Sequence, residues 1–189
     1  MYKTPVAVLL SSLFLSTQAP AATLIYAGKL ITAEDKKVLS QHTIVVEQDK
    51  IIALEAGFRQ ATATDKVIDL RQHTVMPGLM DMHTHFYTQF SPTVYSEGFT
   101  MNEADYALRG ATFAEKTLLA GFTTVRELGD NHQISTALKK AIAKGYVNGP
   151  RIYAAGKSIA TTGGHADPTN GVAAALMADP GPKEGVING

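Results

Sequence analysis

Val75-Met76-Pro77-Gly78-Leu79-Met80-Asp81-Met82-His83-Thr84-His85 separates two different patterns of secondary structure. Pro77-Gly78 is a breaker pair: proline has no N–H to give a ladder, and glycine frees the backbone for a sharp turn. Leu79 to His83 then reads as a short, mostly apolar strand. Side chains on a strand alternate between faces. His83 and His85 are two apart, so both imidazoles are expected in one space, close enough to share a divalent cation. Asp81 has the same parity and is expected beside them, orienting a ligand from behind. Neutral imidazole suits zinc, iron, nickel or manganese, and geometry selects among them. Two exposed histidines on an edge strand give the same H-x-H spacing. The position of this pair, at a strand's C-terminal end after Pro-Gly, favours ligands.

Upstream the pattern is strand-like. Leu24 to Tyr26, Thr43 to Glu47 and Ile51 to Leu54 are short β-branched or apolar runs, the last two forming a hairpin around Gln48-Asp49-Lys50. A preferred two-residue turn would carry glycine at Lys50, so a longer or slightly strained turn is expected. Val67 to Leu70 is a further strand, followed by a polar turn at Arg71-Gln72-His73. Downstream, Phe86 to Thr100 reads as an irregular aromatic loop. Its Phe86, Tyr87, Phe90 and Tyr95 either line a pocket or pack among themselves. Asn102 is an N-cap candidate with Asp105 three residues on. Ala107, Ala111, Ala114 and Leu118 mark one face of a helix ended by Gly121. Phe122 to Arg126 is a second strand, Ile134 to Ile142 a second helix stopped by Gly145, and Arg151 to Ala155 a third strand.

Strand, helix, strand, helix, strand implies parallel strands with crossover helices and chemistry in the loops at the strands' C-terminal ends. His83 and His85 lie there. So does His165, in Thr162-Gly163-Gly164-His165, where glycines let the backbone approach a ligand; a solvent-exposed loop histidine is the plainer alternative. Arg126 ends the second strand on that face and could bind an acidic group; an ion pair with Glu127 or Asp130 is the other reading. His132 reads as a surface residue, and His42 and His73 as structural.

With 189 residues, 45% hydrophobic and 18% charged, the composition is that of a globular chain. Lys+Arg 17 against Asp+Glu 17 leaves no basic stripe for nucleic acid. The absence of cysteine excludes disulfides, thiolate nucleophiles and Cys-ligated zinc. Neither a G-x-x-x-x-G-K-[ST] phosphate loop nor a G-x-S-x-G nucleophile motif occurs. Lys3, the apolar run Val6 to Leu15 and the small-residue stretch Ser16 to Ala22, with Ala19-Pro20-Ala21 as cleavage site, predict a secretory signal. The apolar run is about half of the roughly 20 residues that span a bilayer, so no stable membrane anchor is expected. The mature chain is expected to begin at Ala22 or Thr23, in the periplasm or outside the cell.

The stretch from Val75 to His85 resembles the P-G-x-x-D-x-H-x-H signature of the amidohydrolase superfamily. Ala120 to Arg126 and Thr162 to His165 resemble motifs of its imidazolonepropionase-like subgroup, which includes Xaa-Pro dipeptidases. Arg71-Gln72-His73 departs from the Gly-containing turn usual before the signature. The signal pattern sets off residues 1–22, and the resemblance implies part of a small β-sandwich at 23–76 and the N-terminal part of a (β/α)₈ TIM barrel at 77–189, about three βα units. A complete barrel takes about 250 residues. It implies His83 and His85 as ligands of a divalent metal, zinc foremost, with one or two ions in the complete enzyme. It implies hydrolysis of C–N bonds in amide or dipeptide-like substrates by a water acidified to a pKa of about 7. The family's carboxylated lysine, later histidines and late aspartate have no counterpart here, so no residue receives the proton-handling role. The alternative is an inactive truncated chain or a secreted module that binds a metal or ligand.

Overall fold

In the computed structural model, residues 21–33, 37–130 and 132–189 are described. The expected signal segment lies almost wholly outside them. Among the described residues no helix is long and apolar enough to cross a membrane. The chain divides into two compact units, one ending at Pro77 and one starting at Gly78.

The first unit is a four-stranded sheet of β1 (Thr23–Ile31), β2 (Val38–Glu47), β3 (Lys50–Ala56) and β4 (Lys66–Val75), in the order β3-β2-β1-β4. β1 and β2, and β2 and β3, run antiparallel, whereas β1 and β4 are parallel. Leu24, Ala27 and Val45 are fully buried at its centre. The strands outrun their apolar runs because ladder bonds carry polar residues along: Lys29 is paired with both Ser40 and Thr74.

Two local expectations change. Lys50 belongs to β3 and pairs with Glu47, so the hairpin turn has two residues, Gln48 and Asp49, at φ 47° and 64°. This is the type I′ backbone without glycine, and each left-handed residue costs about 1–2 kcal/mol unless its side chain compensates. Asp49→Gly is therefore expected to stabilise the protein by about 1 kcal/mol, read as a higher denaturant midpoint; an unchanged or lower midpoint refutes the strain. Arg71-Gln72-His73 is not a turn but a bulge inside β4. Register passes from Ala27↔Leu70 to Lys29↔Thr74, so three residues face one. The one is Gly28, where a Cβ would lie 2.1 Å from the Arg71 carbonyl oxygen.

The second unit is a mixed α/β layer: β5 (Leu79–Thr84), α1 (Val94–Thr100), α2 (Glu103–Leu119), β6 (Phe122–Glu127), α3 (Ile134–Ala143) and β7 (Arg151–Ala154). Its sheet is parallel, in the order β5-β6-β7. The aromatic loop is less irregular than expected, since it contains α1. Arg109 of α2 binds Glu97 of α1 at 2.7 Å and the Tyr87 carbonyl at 2.8 Å, tying the segment down. Asp105 accepts the Asn102 N–H at 2.8 Å, the reciprocal half of a capping box. Ala114, Val125, Leu138 and Ile152 join both longer helices to one face of the sheet, with Phe86 among them. The other face bears exposed Met80, Met82 and Tyr153. Gly78 explains the breaker pair: a Cβ there would fall 2.1–2.6 Å from the Thr123 side chain, so only glycine lets β5 start this close to β6.

Candidate metal centre

β5 and β6 run in step through Met80↔Thr124 and Asp81↔Val125, but the next pair is Thr84↔Glu127. One extra residue on β5 reverses the alternation. Asp81 therefore stays level with buried Val125 and lines a groove with His85 and with Phe113 and Lys116 of α2, while His83 and His85 together line a second cleft that Asp81 does not reach. Asp81, expected beside both rings, thus borders His85 but lies outside the cleft that His83 lines. Its carboxylate instead accepts the His83 backbone N–H at 3.0 Å, across the bulge.

The cleft encloses about 600 Å³ and brings together His83 and His85 from the end of β5 and just past it, Arg126 from the end of β6 and His165 from the loop after β7. The two imidazole centroids are 5.4 Å apart, with planes at 72°. Two imidazoles on one ion, with metal–nitrogen bonds of about 2.0–2.1 Å, place their centroids about 4.5–5.5 Å apart for angles of about 90–120°. The pair thus fits a shared cation. His85 Nδ1 lies 3.1 Å from the Gly129 carbonyl oxygen. A carbonyl only accepts, so Nδ1 carries the proton and Nε2 keeps its lone pair. Among the described residues the His83 ring has no hydrogen-bond partner, and no group of three or more His, Cys, Asp or Glu could hold an ion. Tyr87 meets His85 edge-on at 6.2 Å. Burial, then the nearby Glu127 and Asp130 carboxylates, push its hydroxyl above the ordinary phenol value.

Glu127 was visible in the sequence only as a partner for Arg126. It is fully buried at the end of β6. One oxygen accepts the Gly129 N–H at 3.0 Å; the other lies 3.4 Å from His85 Nδ1 and has no hydrogen bond among the described residues. Burial pushes its carboxyl above the usual range, opposed by the Gly129 N–H. Its parity with Val125, which turns it inward, was the available signal. Arg126 pairs with neither acid. Asp130 is taken up by the start of α3, and among the described residues Arg126 makes no salt bridge.

Buried Asp167 shapes the third loop. It accepts the Gly163 N–H at 2.7 Å, the Thr169 N–H at 2.9 Å and the Thr169 hydroxyl at 2.7 Å. These bonds, the hydroxyl's foremost, hold its carboxyl below the ordinary value. The loop so stapled presents His165 to the cleft. His132 stacks on Tyr106 and faces Glu103 at 3.3 Å, outside the cleft. His42 contacts the Ser40 carbonyl and His73 sits in the β4 bulge. Of the loop aromatics, Tyr87 lines the cleft and Phe86 is core, while Phe90 is fully exposed and Tyr95 packs on Phe99.

The chain is 43% identical to a Xaa-Pro dipeptidase solved with methionine in its active site, at a TM-score of 0.81, covering 89% of this chain and 41% of that one. A prolidase solved with N-methylphosphonate-L-proline is 29% identical at a TM-score of 0.65, over 77% of this chain and 34% of that one. Ochratoxinase of Aspergillus niger is 31% identical over 163 residues, 80% of this chain and 32% of that protein. The chain thus spans about a third of the length of that curated relative. Residues 74–186, more than half of the sequence, match the amidohydrolase family, whose members generally use divalent metals. The chain belongs to the amidohydrolase family.

Proposed function

We propose that His83 and His85 are the first two ligands of a divalent-metal centre, zinc by preference, in an enzyme that hydrolyses C–N bonds of amide or dipeptide-like substrates. The observation that carries this reading is the convergence of the two rings at 5.4 Å, with His85 Nδ1 committed to the Gly129 carbonyl. A divalent ion supplies Lewis acidity and a water acidified toward neutral pH. This chain's own residues do the rest of what is assigned here. Asp81 and Gly129 hold the backbone of His83 and the ring of His85. Tyr87 walls the cleft, and Arg126 lines it from the end of β6 and His165 from the loop after β7. The dipeptidase and prolidase similarities support a substrate with a free carboxylate, and Arg126, free of ion pairs among the described residues, is its counter-charge. Further metal ligands are expected from beyond the described residues.

The fold reading is part of the same proposal. The parallel β5-β6-β7 layer, with an exposed apolar face at Met80, Met82 and Tyr153, suits the first units of a (β/α)₈ barrel. The first unit, with Ile51, Ile52 and Leu54 exposed, suits part of a β-sandwich. Export also stays a proposal. Ala22 is 4% exposed and its N–H reaches Asp65 at 3.1 Å, so a cut before Ala22 is preferred to one after it.

The test is metal analysis and hydrolysis by the complete protein. Copurified or tightly bound divalent metal, with turnover of Xaa-Pro or other amide substrates, is the expected result. A protein that neither holds zinc nor cleaves any amide removes the reading. Arg126→Ala is expected to raise KM roughly tenfold to a hundredfold for dipeptides while kcat changes little. The same rise for a dipeptide with an amidated C-terminus would show that Arg126 does not read the carboxylate.

A further inference from the structure

We infer that Glu127 is a positioning residue for the metal centre: its free carboxylate oxygen and the Gly129 carbonyl together hold His85 by its Nδ1–H, keeping Nε2 toward the cleft. The inference rests on the metal reading of His83 and His85. Glu127 is fully buried, and its Oε1 has no hydrogen-bond partner among the described residues. A buried carboxylate oxygen left alone is costly, so an unpartnered one asks for an explanation. A polar hydrogen within reach is that on His85 Nδ1, 3.4 Å away, since the Ser135 hydroxyl near Glu127 gives its own to Asp130. That hydrogen is already directed at the Gly129 carbonyl, 3.1 Å off, so a small rotation of the ring shares it between two acceptors. Gly129 also gives its own N–H to Glu127 Oε2 at 3.0 Å. His85, Gly129 and Glu127 therefore form a closed triangle in which the carboxylate fixes both the ring and the backbone that receives it. A carboxylate behind a ligating imidazole sets its tautomer and raises its donor strength. Asp81, the acid closer in sequence, reaches only the backbone of His83.

Glu127→Gln separates this role from simple space-filling. The amide oxygen still accepts the Gly129 N–H, but the amide NH₂ then meets the His85 N–H, donor against donor. The ring shifts, or moves its proton to Nε2 and loses the lone pair. In the complete protein, Zn²⁺ affinity measured by chelator competition is expected to fall about 10- to 100-fold. The ¹⁵N signals of His85 in the metal-free protein should lose the Nδ1–H pattern. Glu103→Gln removes the same charge from the surface of the same unit and should change neither. If Glu127→Gln does not fold, Glu127→Met, an apolar chain of like size, is read the same way. Zinc affinity within twofold of wild type, with Nδ1–H retained, overturns the inference. If His85→Ala weakens zinc and Glu127→Gln does not, only the positioning role falls. If His85→Ala leaves zinc binding unchanged, the metal reading falls and the positioning role with it.

Discussion

Replacing His83 and His85 together by alanine in the complete protein is expected to abolish stoichiometric divalent metal and to lower kcat/KM by at least about 10³-fold, about 4 kcal/mol of transition-state stabilisation. The size follows from geometry. The rings are spaced for one ion, and each is held from behind, His83 through its backbone by Asp81 and His85 through its ring by Gly129. Removing one leaves a partial ligand set, whereas removing both leaves this cleft with only His165 as an imidazole. His132→Ala is the matched control, because that histidine is stacked on Tyr106 away from the cleft. Metal content by mass spectrometry and kcat/KM on a dipeptide give the answer. Retention of both in the double variant would falsify the ligand assignment.

Asp130→Ala is expected to cost about 3 kcal/mol of stability with little direct effect on the His83–His85 spacing. Asp130 is 2% exposed and accepts the His132 N–H at 3.0 Å, the Ile134 N–H at 2.7 Å, the Ser135 N–H at 3.0 Å and the Ser135 hydroxyl at 2.5 Å. The first turn of α3 holds no acidic residue of its own, so Asp130 is the anion at that N-terminus. Loss of a cap costs about 0.5–2 kcal/mol, and each buried donor left unpaired about 1–3 kcal/mol, partly relieved by water. Asp130→Asn keeps one acceptor oxygen and should lose less than half as much. Urea unfolding followed by circular dichroism measures both variants. Equal, small losses would mean that α3 is capped by something other than this carboxylate.

Much of the site is legible in the sequence. Residues two apart on a strand share a face, a periodicity that needs no partner, and it placed His83 with His85. The same rule put Asp81 beside both rings, whereas a bulge against β6 adds one residue between Asp81 and Thr84 and leaves Asp81 beside His85 but outside the cleft that His83 lines. A bulge is a property of two strands, set by ladder bonds to residues some forty positions away, so neither strand announces it alone. Glu127 shows the same limit. Adjacent to Arg126 it looked like an ion-pair partner. Packing turns it inward instead, against a histidine just past the end of the neighbouring strand.

By itself, the sequence determined the alternation of strands and helices, the breaker glycine, the capping pair Asn102–Asp105 and the histidine pair. All are set by repeats, backbone conformations or hydrogen bonds within a few residues. Only the tertiary structure decided which acid stands behind which histidine, that Asp130 caps α3 from the preceding loop, and that Arg126 faces the cleft without an anionic partner among the described residues. Those outcomes depend on inter-strand register and on what burial leaves unpaired, and both arise only when distant segments meet.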